Sequence, residues 1–304
     1  MKLPSAEELL SEVRVIALPL HTTFRGLTVR ETMLVRGPAG WGEFAAFTEY
    51  DDVESAPWLA SAIEQAWGLG PTVTERPVFR ETVRTNATLP AVSAADVGAI
   101  LERFGDFRTV KVKVAEAGQT LEEDVARVAA ARAFVGDAGR VRIDANGGWN
   151  VDEAEHAIRA LERFDLEFVE QPCATVPELA ELRDRVHRMG ILIAADESVR
   201  KADDPVAVAR AGAADILVIK VAPLGGVRRA LDIIDRAGLP VVVSSALESP
   251  VGLQASFDLA TRIEQLDYDC GIATDALFTG EELPVPAERE TWWRDRAIRC
   301  LALL

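Results

Sequence analysis

The sequence predicts an α/β protein in which a parallel barrel follows a smaller α+β unit. Three observations predict it. Short β-branched runs alternate strictly with longer Ala-, Glu-, Arg- and Leu-rich segments from Val83 to Thr274. Several of the short runs are continuously apolar, for example Ile216-Leu217-Val218-Ile219 and Val241-Val242-Val243, as in strands covered on both faces. Polar or charged residues end nearly every run. In a barrel those carboxyl ends converge on one mouth, whereas in an open sheet they would be strung along a line.

In order, the strands are expected at Val83–Thr88, Thr109–Val114, Val141–Asn146, Glu167–Gln171, Ile191–Glu197, Ile216–Val221, Val241–Ser245 and Tyr268–Ile272. The helices between them are expected at Ala94–Phe104, Leu121–Val135, Val151–Phe164, Val176–Val186, Pro205–Ala211, Val227–Ala237 and Pro250–Ile263, with breakers such as Gly136, Gly190, Gly212 and Gly238. Residues 1–80 have another texture. Val13–Pro19, Leu27–Arg36 and Trp41–Phe44 read as an antiparallel meander with turns at Gly26 and between Gly37 and Gly40, followed by a helix over Ala56–Trp67. The barrel is expected over 81–280. The tail, 281–304, offers no strand and is expected to pack back on the first unit.

The bulk numbers narrow the function. Of 304 residues, 49% are apolar and 27% charged, an ordinary composition for a protein with a sizeable core. The net charge of −16 repels nucleic acid and anionic membrane, so neither is expected as a partner. Cys173, Cys270 and Cys300 are odd in number and widely spaced, which fits a reducing cytoplasm. Met1–Leu10 carries acidic residues where a signal peptide would be apolar.

The strand ends carry the chemistry. The second strand ends in Lys111-Val112-Lys113, and alternation puts both lysines on one face. The next three deliver Asp144 (with Asn146 two residues on), Glu170 and Asp196, the sixth ends in Lys220, and the seventh in Ser244-Ser245. Three ionised carboxylates forced together repel unless a counter-charge joins them. A hard divalent cation, Mg²⁺ or Mn²⁺, suits three carboxylates with positions left for water and substrate. Lysines beside a metal and each other are expected at lowered pKa, where a lysine serves as a base near neutral pH. Metal on a substrate carboxylate would stabilise the enediolate formed when the adjacent carbon loses its proton. Glu197 is expected to turn away from Asp196, towards Lys111 or Lys113. Arg25, beside Gly26, is a candidate to close over the site.

In this order, Lys-x-Lys, Asp-x-Asn, Glu-Gln-Pro, Asp-Glu-Ser and a later Lys resemble the muconate-lactonizing subgroup of the enolase superfamily. The resemblance covers the whole chain. It implies a (β/α)7β modified TIM barrel under an N-terminal α+β capping domain, with Asp144, Glu170 and Asp196 as metal ligands and Lys113 facing Lys220. Within the subgroup, Ser244 to Ser249 followed by Val251-Gly252-Leu253, Asn86 to Pro90, and Cys270 to Thr274 resemble the o-succinylbenzoate synthases. That implies a small carboxylate substrate, 2-succinyl-6-hydroxy-2,4-cyclohexadiene-1-carboxylate, dehydrated in menaquinone biosynthesis. Lys113 would be the base, Lys220 the cationic partner, Lys111 an electrostatic assistant, and Ser244 and Ser245 donors to the succinyl carboxylate. N-acylamino acid racemases, dipeptide epimerases and muconate cycloisomerases share the pattern. Asp267-Tyr268-Asp269 resembles the Asp-x-Asp of the dipeptide epimerases.

Overall fold

The computed structural model describes residues 3–304. Helix Ala6–Leu10 leads into an antiparallel sheet of β1 (Val13–Phe24), β2 (Leu27–Gly37) and β3 (Gly40–Phe44). β1 continues beyond the expected Pro19 to Phe24, with a register shift between the two. Arg25 and Gly26, both at positive φ, turn the chain there and match the twist of the paired strands. Helix Asp52–Ala66, capped by Asp51, lies on this sheet. It buries Trp58, Leu59 and Ile63 with Met33, Val35 and Phe44. The tail joins the same core: helix Ala287–Leu301 adds Trp293, Ala297 and Cys300, and the Trp293 ring meets Phe44 edge-on at 5.4 Å.

A parallel sheet in the order β10-β9-β8-β7-β6-β5-β4 makes the second part. Its strands are β4 (Ala87–Leu89), β5 (Thr109–Lys113), β6 (Arg140–Asp144), β7 (Leu166–Glu170), β8 (Ile193–Ala195), β9 (Ile216–Lys220) and β10 (Val241–Ser244). Alternation sends Val110, Val112, Ile143, Val169, Leu217 and Ile219 outward to the helices, and Phe168, Ala194, Ile216, Val218 and Val242 into a separate interior cluster. Helices Leu121–Val135, Val176–Val186 and Val227–Ala237 stand where the periodicity predicts them. Ala94–Phe104 and Val151–Phe164 instead break into α-helical and 3₁₀ turns, and the helix expected at Pro205–Ala211 shortens to Ala207–Arg210.

Two expectations are corrected. Tyr268–Ile272 does not form a regular eighth strand. Only Cys270 and Gly271 pair, with Thr85 on one side and Ser244 on the other, and these bridges join the two edges of the curled sheet. A two-residue ladder suffices because Cys270 and Gly271 are hydrogen-bonded to both edges, from Arg84 and Asn86 to Val243 and Ser245. The fifth expected strand, Ile191–Glu197, stops at Ala195. The Gln171 side chain accepts the N–H groups of Asp196 (2.9 Å) and Ser198 (3.2 Å), and residues 197–200 form a helical turn instead.

Candidate active site at the barrel mouth

Strand register assembles the site. Lys113 lies beside Asp144, and Asp144 beside Glu170, on adjacent parallel strands. Asp196 follows β8, two residues beyond Ala194, the partner of Glu170. All three carboxylates are buried, and none is left without a cation. Lys111 Nζ lies 3.0 Å from both Glu170 oxygens and 3.1 Å from Asp144. Lys113 Nζ donates to Asp144 Oδ2 (2.5 Å) and Asn146 Oδ1 (2.6 Å). Lys220 Nζ donates to Asp196 Oδ2 (2.5 Å).

These contacts set the charges. Burial opposes ionisation of Asp144, but Lys113 and Lys111 hold its carboxyl well below the usual range. Asp196, despite burial, is drawn down to about 2 by Lys220 and Arg200. Burial, with Asp144 beside it, pushes Glu170 up to about 7. Lys111 departs from the expected lowering. Burial alone would lower its pKa, yet Glu170, Asp144 and Asp196 together outweigh burial and hold it above the ordinary lysine value. Lys111 is thus bound into the carboxylate cluster rather than set apart from it.

Among the described residues, no three carboxylate, imidazole or thiol side chains lie close enough together to hold a metal ion as they stand, because each carboxylate is turned to a lysine. The donor chemistry of Asp144, Glu170 and Asp196 nevertheless fits a hard divalent cation. They are buried oxygen donors on adjacent strands, and burial beside Asp144, which pushes Glu170 up to about 7, shows that its ionised form would gain from a further cation.

Two residues outside the strand-end pattern complete the cluster. Arg200 donates to Asp196 (3.1 Å) and Glu197 (2.7 Å), and Tyr50 of the first unit receives hydrogen bonds from both Arg25 (2.8 Å) and Arg200 (3.4 Å). Asp196 and Glu197 keep Arg200 charged although burial works against it. Arg200 is four residues after Asp196, a spacing informative only once the segment is known to be helical. Glu197 corrects an expectation: its partners are Arg200 and the Asn146 amide (3.2 Å), not Lys111 or Lys113.

A cavity of about 790 Å³ opens above this cluster, within the size range of small-molecule sites. Lys111, Lys113, Asn146, Lys220, Ser244 and Ser245 line it from the barrel, and Thr23, Phe24, Arg25, Gly26 and Phe47 from the first unit. Phe24 places its ring 5.7 Å from Lys113 Nζ, and Arg25 stacks on Phe47. Ser245 pairs with Thr274 (2.7 Å) and Ser244 leans to the Gly271 carbonyl (3.4 Å). The helix after this segment is capped by Ser249 rather than by either serine.

Residues 15–66 match the enolase N-terminal domain-like family and residues 93–291 the enolase C-terminal domain-like family. Among solved structures, muconate lactonizing enzyme from Pseudomonas fluorescens, complexed with muconolactone, superposes with a TM-score of 0.74 at 23% identity over 90% of each chain. Dipeptide epimerase from Enterococcus faecalis, complexed with Mg and L-Leu-L-Tyr, gives 0.70 at 24% identity, covering 86% of this chain and 89% of that one. At these identities the likeness concerns the fold. The o-succinylbenzoate synthase of Mycobacterium tuberculosis is 50% identical over 99% of this chain and 97% of its own length, and that of Mycobacterium marinum 49% identical over 98% and 95%. The chain belongs to the o-succinylbenzoate synthase family of the enolase superfamily. Within that family's scaffold, Asp269 has a structural place. Its buried carboxylate accepts from Arg84 (2.8 Å), Arg108 (3.1 Å) and Thr109 (2.7 Å) at the start of β5, the end remote from the mouth. Neither it nor Asp267 lines the cavity, so the Asp-x-Asp likeness to dipeptide epimerases is one of sequence only.

Proposed function

We propose that this protein is a cytoplasmic o-succinylbenzoate synthase of menaquinone biosynthesis, dehydrating 2-succinyl-6-hydroxy-2,4-cyclohexadiene-1-carboxylate to 2-succinylbenzoate. The observation that carries the reading is the buried Asp144–Glu170–Asp196 trio with Lys113 on one end and Lys220 on the other, beneath a cavity walled by both units. A Mg²⁺ ion held by those three carboxylates, or Mn²⁺ in its place, would supply Lewis-acid stabilisation to the ring carboxylate. Lys113 is the base that takes the proton from the adjacent carbon. Asn146 orients it through the 2.6 Å hydrogen bond. Lys220, across the cavity floor, faces the negative charge that develops on the substrate. The 6-hydroxyl then leaves with the proton returned by Lys113, as water, and the ring becomes aromatic. Ser244, Ser245 and Arg25 bind the succinyl end. The cytoplasmic assignment is supported by three buried, unpaired cysteines.

The test is turnover of the cyclohexadiene substrate by purified protein. EDTA should abolish it and Mg²⁺ or Mn²⁺ restore it. Added Mg²⁺ should also raise Tm, since a ligand that binds only the folded state stabilises it. Full turnover by metal-stripped protein would sink the ligand assignment. A racemase activity on N-acylamino acids is a second reading, favoured by one observation: two lysines, one at each end of the carboxylate trio, line the same cavity.

A further inference from the structure

Two buried carboxylates of the first unit reach into the second. Glu43, on β3, accepts the Ser249 N–H (3.0 Å), the Ser249 hydroxyl (2.8 Å) and the Gly252 N–H (2.7 Å), at the start of helix Pro250–Thr261. Glu64, on helix Asp52–Ala66, accepts the N–H groups of Val227 and Arg228 (3.3 Å for the latter), at the start of helix Val227–Ala237. That helix has no side-chain cap of its own, since its first flanking residue is Gly226. A glycine lies against each carboxylate, and Gly226 is also at a positive φ of 118°. A Cβ on Gly252 would stand 2.4 Å from a Glu43 oxygen, and one on Gly226 2.6 Å from a Glu64 oxygen. Exposed helix amides and the positive end of the helix dipole favour a carboxylate there.

We infer that Glu43 and Glu64 form a two-point latch that registers the first unit on the barrel and thereby sets the substrate cavity; this rests on the synthase reading above. Glu43 pairs across the sheet with Leu34 on β2, and β2 carries the hairpin whose tip, Phe24 to Gly26, walls the cavity. Its other end grips Ser249, two residues beyond Leu247, which walls the cavity from the barrel side. A lateral shift of the sheet would move Phe24 relative to Lys113 without touching Lys113, Lys220 or the carboxylates. Neither Glu43 nor Glu64 lines the cavity, so both are positioning residues.

The test compares Glu43→Ala, Glu64→Ala and the double variant with the unmodified holoenzyme. Losing one cap should raise KM about 3- to 30-fold with kcat changed less than about threefold, and the double variant should exceed either single one. Glu43→Gln and Glu64→Gln keep a carbonyl acceptor and should recover part of the loss. They also serve if the alanine variants do not fold. Amide exchange supplies a readout independent of activity: residues 23–26, 227 and 252 should exchange faster in the variants, while β9 inside the barrel stays unchanged. Exchange at 23–26 as slow as in the unmodified protein, or a folded double variant with unchanged KM, overturns the latch. An unmodified protein inactive on the cyclohexadiene substrate overturns the synthase reading instead and leaves the exchange result to decide the latch.

Discussion

Single residues divide the labour by environment. Lys113, Lys220 and Lys111 all line the cavity, but Lys113 and Lys220 each bind one carboxylate, whereas Lys111 bridges Glu170 and Asp144. General-base catalysis contributes about 10²- to 10⁴-fold and preorganised charge a comparable amount, so Lys113→Ala and Lys220→Ala should both be nearly inactive as synthases. Proton exchange separates them. In D₂O with an unreactive N-acylamino acid, Lys220→Ala should keep exchange of the stereoisomer facing Lys113, and Lys113→Ala should lose it; the opposite pattern would swap the roles. Glu248 offers a pH prediction away from the metal ligands. Burial, with Glu43 nearby, pushes its carboxyl up to about 7, and one of its oxygens has no hydrogen-bond partner among the described residues. The folded state therefore holds a proton that the unfolded chain releases at the ordinary carboxylate value. The stability this contributes is present at low pH and is lost as pH rises through the window up to about 7, on the order of 3 kcal/mol. Urea unfolding from pH 5 to 8 should show that decline, and Glu248→Gln should flatten it; equal slopes in the two proteins would refute the assignment.

At the scale of elements, strands end where side chains capture backbone groups. Gln171 stops β8 by taking the amides of Asp196 and Ser198, which frees Asp196 to turn into the mouth and lets residues 197–200 coil so that Arg200 returns to it. Closure of the barrel depends on Cys270 and Gly271 and on the anchor just before them. Asp269 binds Arg84, Arg108 and Thr109, tying the bridging segment to the foot of β5. The Asp269 carboxylate is buried but its arginine partners are half-exposed, so Asp269→Ala should lower stability by about 1–3 kcal/mol while leaving KM near that of the unmodified protein. A large KM change with little loss of stability would return Asp269 to a substrate role. The sequence shows Asp269 only as part of an Asp-x-Asp pattern, because its three partners lie 160 or more residues away along the chain.

Over the whole molecule, function depends on how the first unit sits on the barrel. The cavity has walls from both, and Tyr50 links Arg25 of the hairpin tip to Arg200 on a metal-ligand candidate. Arg25→Ala should therefore raise KM more than it lowers Tm, as measured by steady-state kinetics and thermal unfolding side by side; an unchanged KM would remove Arg25 from the site. Much of this plan is legible in the chain. Apolar periodicity marked helices Leu121–Val135, Val176–Val186 and Val227–Ala237, and the polar ends of successive apolar strands marked Lys113, Asp144, Glu170 and Lys220, because both signals are written within a few residues. Tertiary structure alone decided the rest. It reduced the eighth strand to two bridges, paired Glu197 with Arg200, set Lys111 between Glu170 and Asp144, and set Glu43 and Glu64 on the starts of distant helices. Periodicity is a local property of the chain, whereas the partner of a buried charge is chosen by which other groups the fold brings within about 3 Å of it, and that depends on every element between them.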